Sequence, residues 1–431
     1  MDSSSQEGGE KKKVTEVKTF PVPFALGEKK ENITITTNTP SKPSKEQIIN
    51  QAFKFHSQGN ISEAAKLYQY FINQGFKDHR VFSNYGVILK DLGKLEDAEL
   101  SIRKAIKLDP NYAKAHSNLG NILKDIGKLQ EAELSYRKAI KLKPNFAKAH
   151  TNLGGILRDL RKSQEAELST RKAIKLNPNS VQAHFNLGII LSDLGRLQEA
   201  FDSYIKVIDI NPLFSNIYPS INHFLQDSDP SQLNKSKLKN ILKLLLEKND
   251  SSHKELFKAF NYLYSNKIII GLEVLDSDFS KTELIFNEKL VINALKKIPF
   301  KDIKLEKILT KTRKNICIRI ARKKAISYSQ LQFIIALGEQ CFLNEYVYSR
   351  TEEEDLSLNK IINRCIDSQL NEINIAILSC YFPLYKLLDQ IPSLKSFISP
   401  NQSFVELIEL QILEPLKEIE LSKNIKKLGS I

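Results

Sequence analysis

The stretch from His116 to Pro144, HSNLGNILKDIGKLQEAELSYRKAIKLKP, sets its apolar residues at helical spacing in two runs separated by Gly127. A near copy, HTNLGGILRDLRKSQEAELSTRKAIKLNP, begins thirty-four residues later at His150. Aligning the chain on itself at that offset gives five units, 45–78, 79–112, 113–146, 147–180 and 181–214, each predicted to be two antiparallel helices. One such pair cannot bury its apolar stripe alone, so the pattern predicts stacked units that share a continuous core and form an extended, curved surface.

Ala52, Gly86, Gly120, Gly154 and Gly188 are small where the two helices of a unit press together, and a larger residue there would wedge them apart. Gly59, Gly93, Gly127 and Gly195 fall where the first helix ends and the backbone must turn left-handed, but the fourth unit has Arg161 at that place. A side chain in that conformation costs about 1 kcal/mol, so the turn after Leu160 is expected to be the weakest of the array. Pro110, Pro144, Pro178 and Pro212 close the second helices, with Phe76 instead in the degenerate unit 45–78.

Beyond Pro212 the period fades, although Tyr218, Ile221 and Leu225 keep the frame for one more helix that would cap the array. The run DSDPSQ, 227–232, reads as a boundary, so residues 215–232 are assigned as cap and boundary. From 233 to 431 the spacing stays helical, as in LKNILKLLLEKN and ELFKAFNYLY, with capping boxes expected at Ser252…Glu255 and Ser280…Glu283. Residues 1–44 are polar, with Phe20 and Phe24 among few aromatics, and are expected to form a disordered tail. The fold class is therefore all-α: a five-unit solenoid followed by a helical C-terminal domain.

The sixth position of every first helix is asparagine: Asn50, Asn84, Asn118, Asn152 and Asn186. Core packing does not require an amide there, and a carboxamide can both donate to C=O and accept from N–H of a peptide backbone. Asp91, Asp125, Asp159 and Asp193 recur at position thirteen, preceded by Lys90, Lys124 and Arg158 in the first three of these units. Such a row either selects charged ligand side chains or is a solvated helix face.

His116, Leu119, Gly120, Leu123, Ala132, Tyr136 and Pro144 follow the W-x2-L-G-x2-Y…A-x3-F…P pattern, and the array resembles the tetratricopeptide repeat family. That resemblance implies a concave groove that holds a peptide or partner protein. The repeats also look like those of O-linked N-acetylglucosamine transferases, whose asparagine ladder grips extended peptides, which implies that role for the asparagines here; local hydrogen bonding is the alternative.

Net charge of +14 at pH 7 raises the question of nucleic acid, but the excess is spread over all three segments, about +1, +8 and +5. The basic triplets Arg103-Lys104-Lys107, Arg137-Lys138-Lys141 and Arg171-Lys172-Lys175 follow Glu99, Glu133 and Glu167 at the favoured four-residue spacing, so a self-paired outer face is expected. TRKNICIRIARKK, 312–324, lacks interleaved aromatics and reads as a helix with one wet basic face, so nucleic acid is not an expected partner. His116, His150 and His184 occupy an interior ring position, Cys317, Cys341, Cys365 and Cys380 form no CxxC pair, and no metal is expected. Only Gly271, Gly338 and Gly429 follow residue 214, too few for a phosphate-cradling loop, so no cofactor is expected. The sequence has no apolar run long enough to span a bilayer, and the start, MDSSSQEGGEKKK, has no secretory pattern, so a cytoplasmic protein without a membrane partner is expected.

ALGEQCFLNEYVYSRTEEE, 336–354, Tyr381-Phe382-Pro383-Leu384 and QILEPLKEIELSKNIKKLGSI resemble the helical segment of bacterial tetratricopeptide proteins that carry a methyltransferase domain dependent on S-adenosylmethionine. The glycine-rich turn that holds that family's cofactor has no counterpart here. Two functions follow: an interaction scaffold, non-catalytic by itself, or the substrate-recognition part of a protein-modifying methyl or glycosyl transferase.

Overall fold

The computed structural model describes residues 44–248, 252–273, 283–346, 348–367 and 370–428. The expected tail, apart from Ser44, lies outside these, as do Ser280 and Gly429. Among the described residues the chain is helical and has no strand.

The array is five helical pairs: α1 (Lys45–Ser57) with α2 (Ile61–Asn73), α3 (His79–Asp91) with α4 (Leu95–Leu108), α5 (Ala113–Asp125) with α6 (Leu129–Leu142), α7 (Ala147–Asp159) with α8 (Ser163–Leu176), and α9 (Val181–Asp193) with α10 (Leu197–Ile210). Ser44 opens the array with a capping box closed by Gln47. At the inner contact of a pair, a Cβ on Gly120 would stand 2.7 Å from Tyr136 Cε1, and one on Gly188 2.5 Å from Tyr204 Cε1. Only glycine lets these helices approach while a tyrosine crosses between them.

The turns behave as the glycine pattern predicted. Gly127 sits at φ 87°, with its N–H on Lys124 O and Lys128 N–H on Leu123 O, a Schellman cap. Arg161 makes the same two bonds, to Arg158 O from its own N–H and to Leu157 O from Lys162 N–H, at φ 60°. The hydrogen bonds of the cap dictate the conformation and the arginine is strained to fit it.

The remaining helices are α11 (Ile217–Asp227), α12 (Lys235–Glu247), α13 (Phe257–Glu273), α14 (Glu283–Phe286), α15 (Lys289–Lys297), α16 (Ile303–Ala321), α17 (Tyr328–Leu343), α18 (Glu352–Ile366), α19 (Glu372–Ser379), α20 (Gln402–Ile408) and α21 (Glu414–Leu428). A π-helical turn, Glu409–Leu413, joins the last two. α11 lays Ile217, Ile221, Phe224 and Leu225 on the last unit, and Phe224 meets both Phe201 and Tyr204. One apolar core then runs from Leu187 to Ile412, so the last unit and the C-terminal helices pack as one body. Within 227–232, Ser228 and Pro230 are buried and Asp229 caps a short 3-10 turn. Ser252 does not close the capping box expected with Glu255: it precedes a 3-10 turn, His253–Leu256, without a side-chain cap bond.

α17 is the hub of the C-terminal part, buried from Gln330 to Cys341 apart from Gln332 and packed on α15 and α19. The residues quoted for the second resemblance knit this hub together. Gln411, in the π turn, donates to Gly338 O at 3.0 Å and accepts from Tyr346 OH at 3.2 Å. Tyr381 OH donates to Glu354 Oε1 at 2.6 Å. Arg313 departs from the wet face expected for 312–324: it is 1% exposed, stacks 4.1 Å over Tyr381, and bonds Ser349 O at 2.8 Å. All four cysteines are free and buried.

Two expectations follow. Arg161→Gly removes about 1 kcal/mol of strain and raises the melting temperature by about 2–4 °C in a thermal scan, whereas Gly127→Arg lowers it by a similar amount. Glu339, buried beside Lys296 at 3.4 Å, has its carboxyl pushed up to about 7 chiefly by burial. Because the folded state holds this proton more tightly than the unfolded state, stability falls as pH rises from about 4.5 to about 7 and the penalty is complete above that. Glu339→Gln flattens that part of the stability profile in urea titrations at pH 5 and pH 8, and an unchanged slope would refute the assignment.

Candidate functional site

First helices of neighbouring units, α3 to α5, α5 to α7 and α7 to α9, approach each other along more of their length than second helices do. The array therefore curves with first helices on the inside, and their exposed faces line a groove. The asparagines fall in register along it. Asn84 Nδ2 donates to Tyr68 OH at 3.4 Å, Asn118 Nδ2 to Ser83 Oγ at 3.1 Å, Asn152 Nδ2 to Asn121 Oδ1 at 2.8 Å, and Asn186 Nδ2 to Thr151 O at 3.3 Å. Each of these amides thus ties its helix to the preceding unit. Asn50, in the first unit, is exposed.

Local bonding, held open as the alternative on sequence grounds, accounts for the N–H side of the amides. Among the described hydrogen bonds, Oδ1 of Asn84, Asn118 and Asn152 accepts none, while Asn186 Oδ1 accepts from Gln182 at 2.8 Å. Position six alone did not reveal the acceptors. They sit at position five of the preceding first helix, Ser83 and Thr151, at its position nine, Asn121, or on a second helix at Tyr68, and comparing position five across units could have found the first two. Tyr136 joins the network by donating to Asn121 Oδ1 at 2.7 Å, and burial pushes its hydroxyl well above the usual tyrosine range.

Asp91, Asp125, Asp159 and Asp193 are the last residues of α3, α5, α7 and α9, and all are exposed. A carboxylate at a helix C-terminus meets the negative end of the helix dipole, which disfavours it by about 0.3–1 kcal/mol. Lys90 offsets this by reaching Asp91 at 2.9 Å and Asp125 of the next unit at 3.8 Å, and Arg158 meets Asp159 at 2.6 Å. The row is partly self-neutralised along one edge of the groove.

The histidines do more than fill space. His116, His150 and His184 set Nε2 against the carbonyls of Pro110, Pro144 and Pro178 at 2.9, 3.1 and 2.9 Å, and Tyr218 OH reaches Pro212 O at 2.8 Å in the same frame. A carbonyl only accepts, so these Nε2 atoms carry hydrogen and do not face an ion. Among the described residues no group of three His, Cys, Asp or Glu side chains could hold a metal. No helix among them is long and apolar enough to cross a membrane.

On the outer face the expected Glu–Arg pairs form and extend into a ladder. Arg137 holds Glu133 at 2.9 Å within α6 and Glu165 of the next unit at 2.5 Å, while Lys162 reaches back to Glu133 at 2.8 Å. Arg103 and Arg171 repeat the arrangement with Glu99 and Glu131, and with Glu167 and Glu199. Glu99, Glu133 and Glu167 are held below the usual carboxylate range by their basic partners, which outweigh partial burial. The lysines of the three triplets take no part in these pairs, so the expectation of a fully self-paired face holds for the arginines only.

Family models described as tetratricopeptide repeat match residues 113–146, 147–180 and 170–202, and one described as TPR repeat matches 86–127. No curated protein matches the chain. Among solved structures, MamA from Desulfovibrio magneticus is 20% identical over 40% of this chain and 97% of its own, with a TM-score of 0.36. YrrB, a TPR protein with an unusual peptide-binding site, is 23% identical over 43% and 93%, with a TM-score of 0.35. A thermophilic TPR protein in Thermus thermophilus is 18% identical over 42% and 99%, with a TM-score of 0.36. Residues 86–202 are tetratricopeptide repeats, set in a helical solenoid that keeps the same frame from Lys45 to Pro212.

Proposed function

We propose that the array is a protein-interaction scaffold that holds an extended peptide segment of a partner in its groove, without catalysis by this chain. The observation that supports this reading is the division of labour within the asparagine amides. One N–H of each amide is bonded to the preceding unit, which fixes the side-chain orientation, and Oδ1 of Asn84, Asn118 and Asn152 is left to accept from a ligand backbone. Because every partner has backbone N–H groups, such a ladder supplies affinity independent of sequence, and the Asp91, Asp125, Asp159 and Asp193 row would select among ligand side chains. The transferase alternative rests on the likeness of the repeats to those of glycosyl transferases and, for methyl transfer, on the resemblance of residues 336–354, 381–384 and 411–431. Several of these, Gly338, Tyr346 and Glu354 among them, are engaged in internal packing and hydrogen bonds, which favours the scaffold reading.

The ladder also revises what its removal should do. Core packing alone would leave Asn84, Asn118, Asn152 and Asn186→Ala thermally silent, yet each amide makes an inter-unit bond worth about 1 kcal/mol. The quadruple variant is expected to melt several degrees lower while remaining folded by circular dichroism at 20 °C. A photo-crosslinking residue at Val87 or Gly155, both half-buried on the inner helices, identifies the partner in cells. The crosslinked band should disappear in the quadruple variant and persist when the crosslinker position is kept in the parent chain; a band of equal strength in the folded variant would sink the ladder as the binding element.

A further inference from the structure

The outer face of the middle three units carries a repeated stripe that the ion-pair ladder leaves unused. On α4 it is Leu100, Lys104 and Lys107, on α6 Leu134, Lys138 and Lys141, and on α8 Leu168, Lys172 and Lys175, spaced i, i+4 and i+7 on one side of each helix. The leucines are 63%, 67% and 72% exposed. All six lysines are exposed, and none forms an ion pair with a described residue; Lys104 lies 5.7 Å over the ring of Phe82. The stripe is confined to these units, since the equivalent of the leucine is Lys66 in the first and Asp202 in the fifth.

The helix α21, Glu414–Leu428, presents the complement. α21 leaves the π turn that anchors it, and residues 417–422 are all exposed. One side of this helix carries Glu414, Glu418 and Leu421, again at i, i+4 and i+7, with Leu421 61% exposed and neither glutamate paired with a described residue. Set antiparallel against an outer stripe, Leu421 meets the leucine. At 1.5 Å rise per residue, Glu418 then lies about 4.5 Å along and the first lysine about 6 Å, while Glu414 and the second lysine both lie about 10.5 Å along. Two opposite-charge pairs and one apolar contact come into register together.

We propose that α21 of one copy of this chain docks antiparallel on an outer stripe of α4, α6 or α8 of a second copy. The two surfaces differ, so the contact is heterologous and propagates head to tail instead of closing a two-fold dimer. It leaves the groove open, so self-association would array groove binding sites along an assembly.

Sedimentation velocity of the full chain over a range of concentrations at low salt tests this. Concentration-dependent growth is expected, weakened by raising the salt. Lys104, Lys138 and Lys172→Glu, and separately Glu414 and Glu418→Lys, are each expected to weaken association on the order of tenfold or more. Mixing the two reversed variants should restore a hetero-association that neither shows alone. These positions are exposed and outside the ladder, so unchanged melting curves certify folding. A parent chain that stays monomeric throughout, assembly that survives both reversals, or a mixture that fails to associate would each overturn the proposal. A monomer that instead sediments with phosphatidylserine vesicles, and loses that binding on lysine reversal, would reassign the stripe to a lipid surface.

Discussion

Everything in the array depends on how closely the two helices of one unit can approach. A glycine on the first helix meets a tyrosine, isoleucine or threonine on the second, and the missing Cβ makes room for that side chain to cross the interface. With this spacing set, each pair exposes an apolar stripe it cannot cover, and only the next pair can cover it. The consequence runs up the molecule: first helices gather on the inside, the groove forms, and the asparagines of successive units line up within reach of the unit before.

Three sets of polar contacts then fix the register between units, each with the same 34-residue period. The asparagine amides tie each first helix to the preceding unit, histidine rings hold the proline carbonyl that closes the preceding unit, and glutamate–arginine contacts run between second helices. An exposed pair of this kind is worth little by itself, but a network that shares each charge between units resists sliding of one unit on another. The array ends where these contacts end. In the fifth unit Asp202 replaces the outer leucine and pairs with Lys237 of α12 at 2.7 Å, and the apolar core passes without a break into the C-terminal helices.

That C-terminal part is built differently. Its hub helix carries buried Gly338, Glu339 and Gln340, and its interior holds Arg313 and Glu354, groups that are costly to bury unless they are hydrogen-bonded. Arg313 Nε has no hydrogen-bond partner among the described residues, and Glu339 Oε1 is met only by the Lys296 ammonium at 3.4 Å, so the network is not fully satisfied. The π turn at Gln411 belongs to the same economy of space: it moves one carboxamide inward to serve Gly338, Tyr346 and Leu384 at once.

By itself the sequence determined the repeat, the helical pairs, the left-handed turns and the strained Arg161, because these are set by local spacing and by whether a residue has a Cβ. It also placed Asn84, Asn118, Asn152 and Asn186 at equivalent positions of successive first helices, since the 34-residue repeat alone does that. Only the tertiary structure decided where those amides point, that Arg313 turns inward while Lys311 and Arg322 to Lys324 stay exposed, and that the outer arginines also reach glutamates of the next unit while the lysines of their triplets form no ion pair with a described residue. Those outcomes depend on atoms contributed by segments about thirty residues away or more, and sequence periodicity carries no information about which donor meets which acceptor across a packed interface.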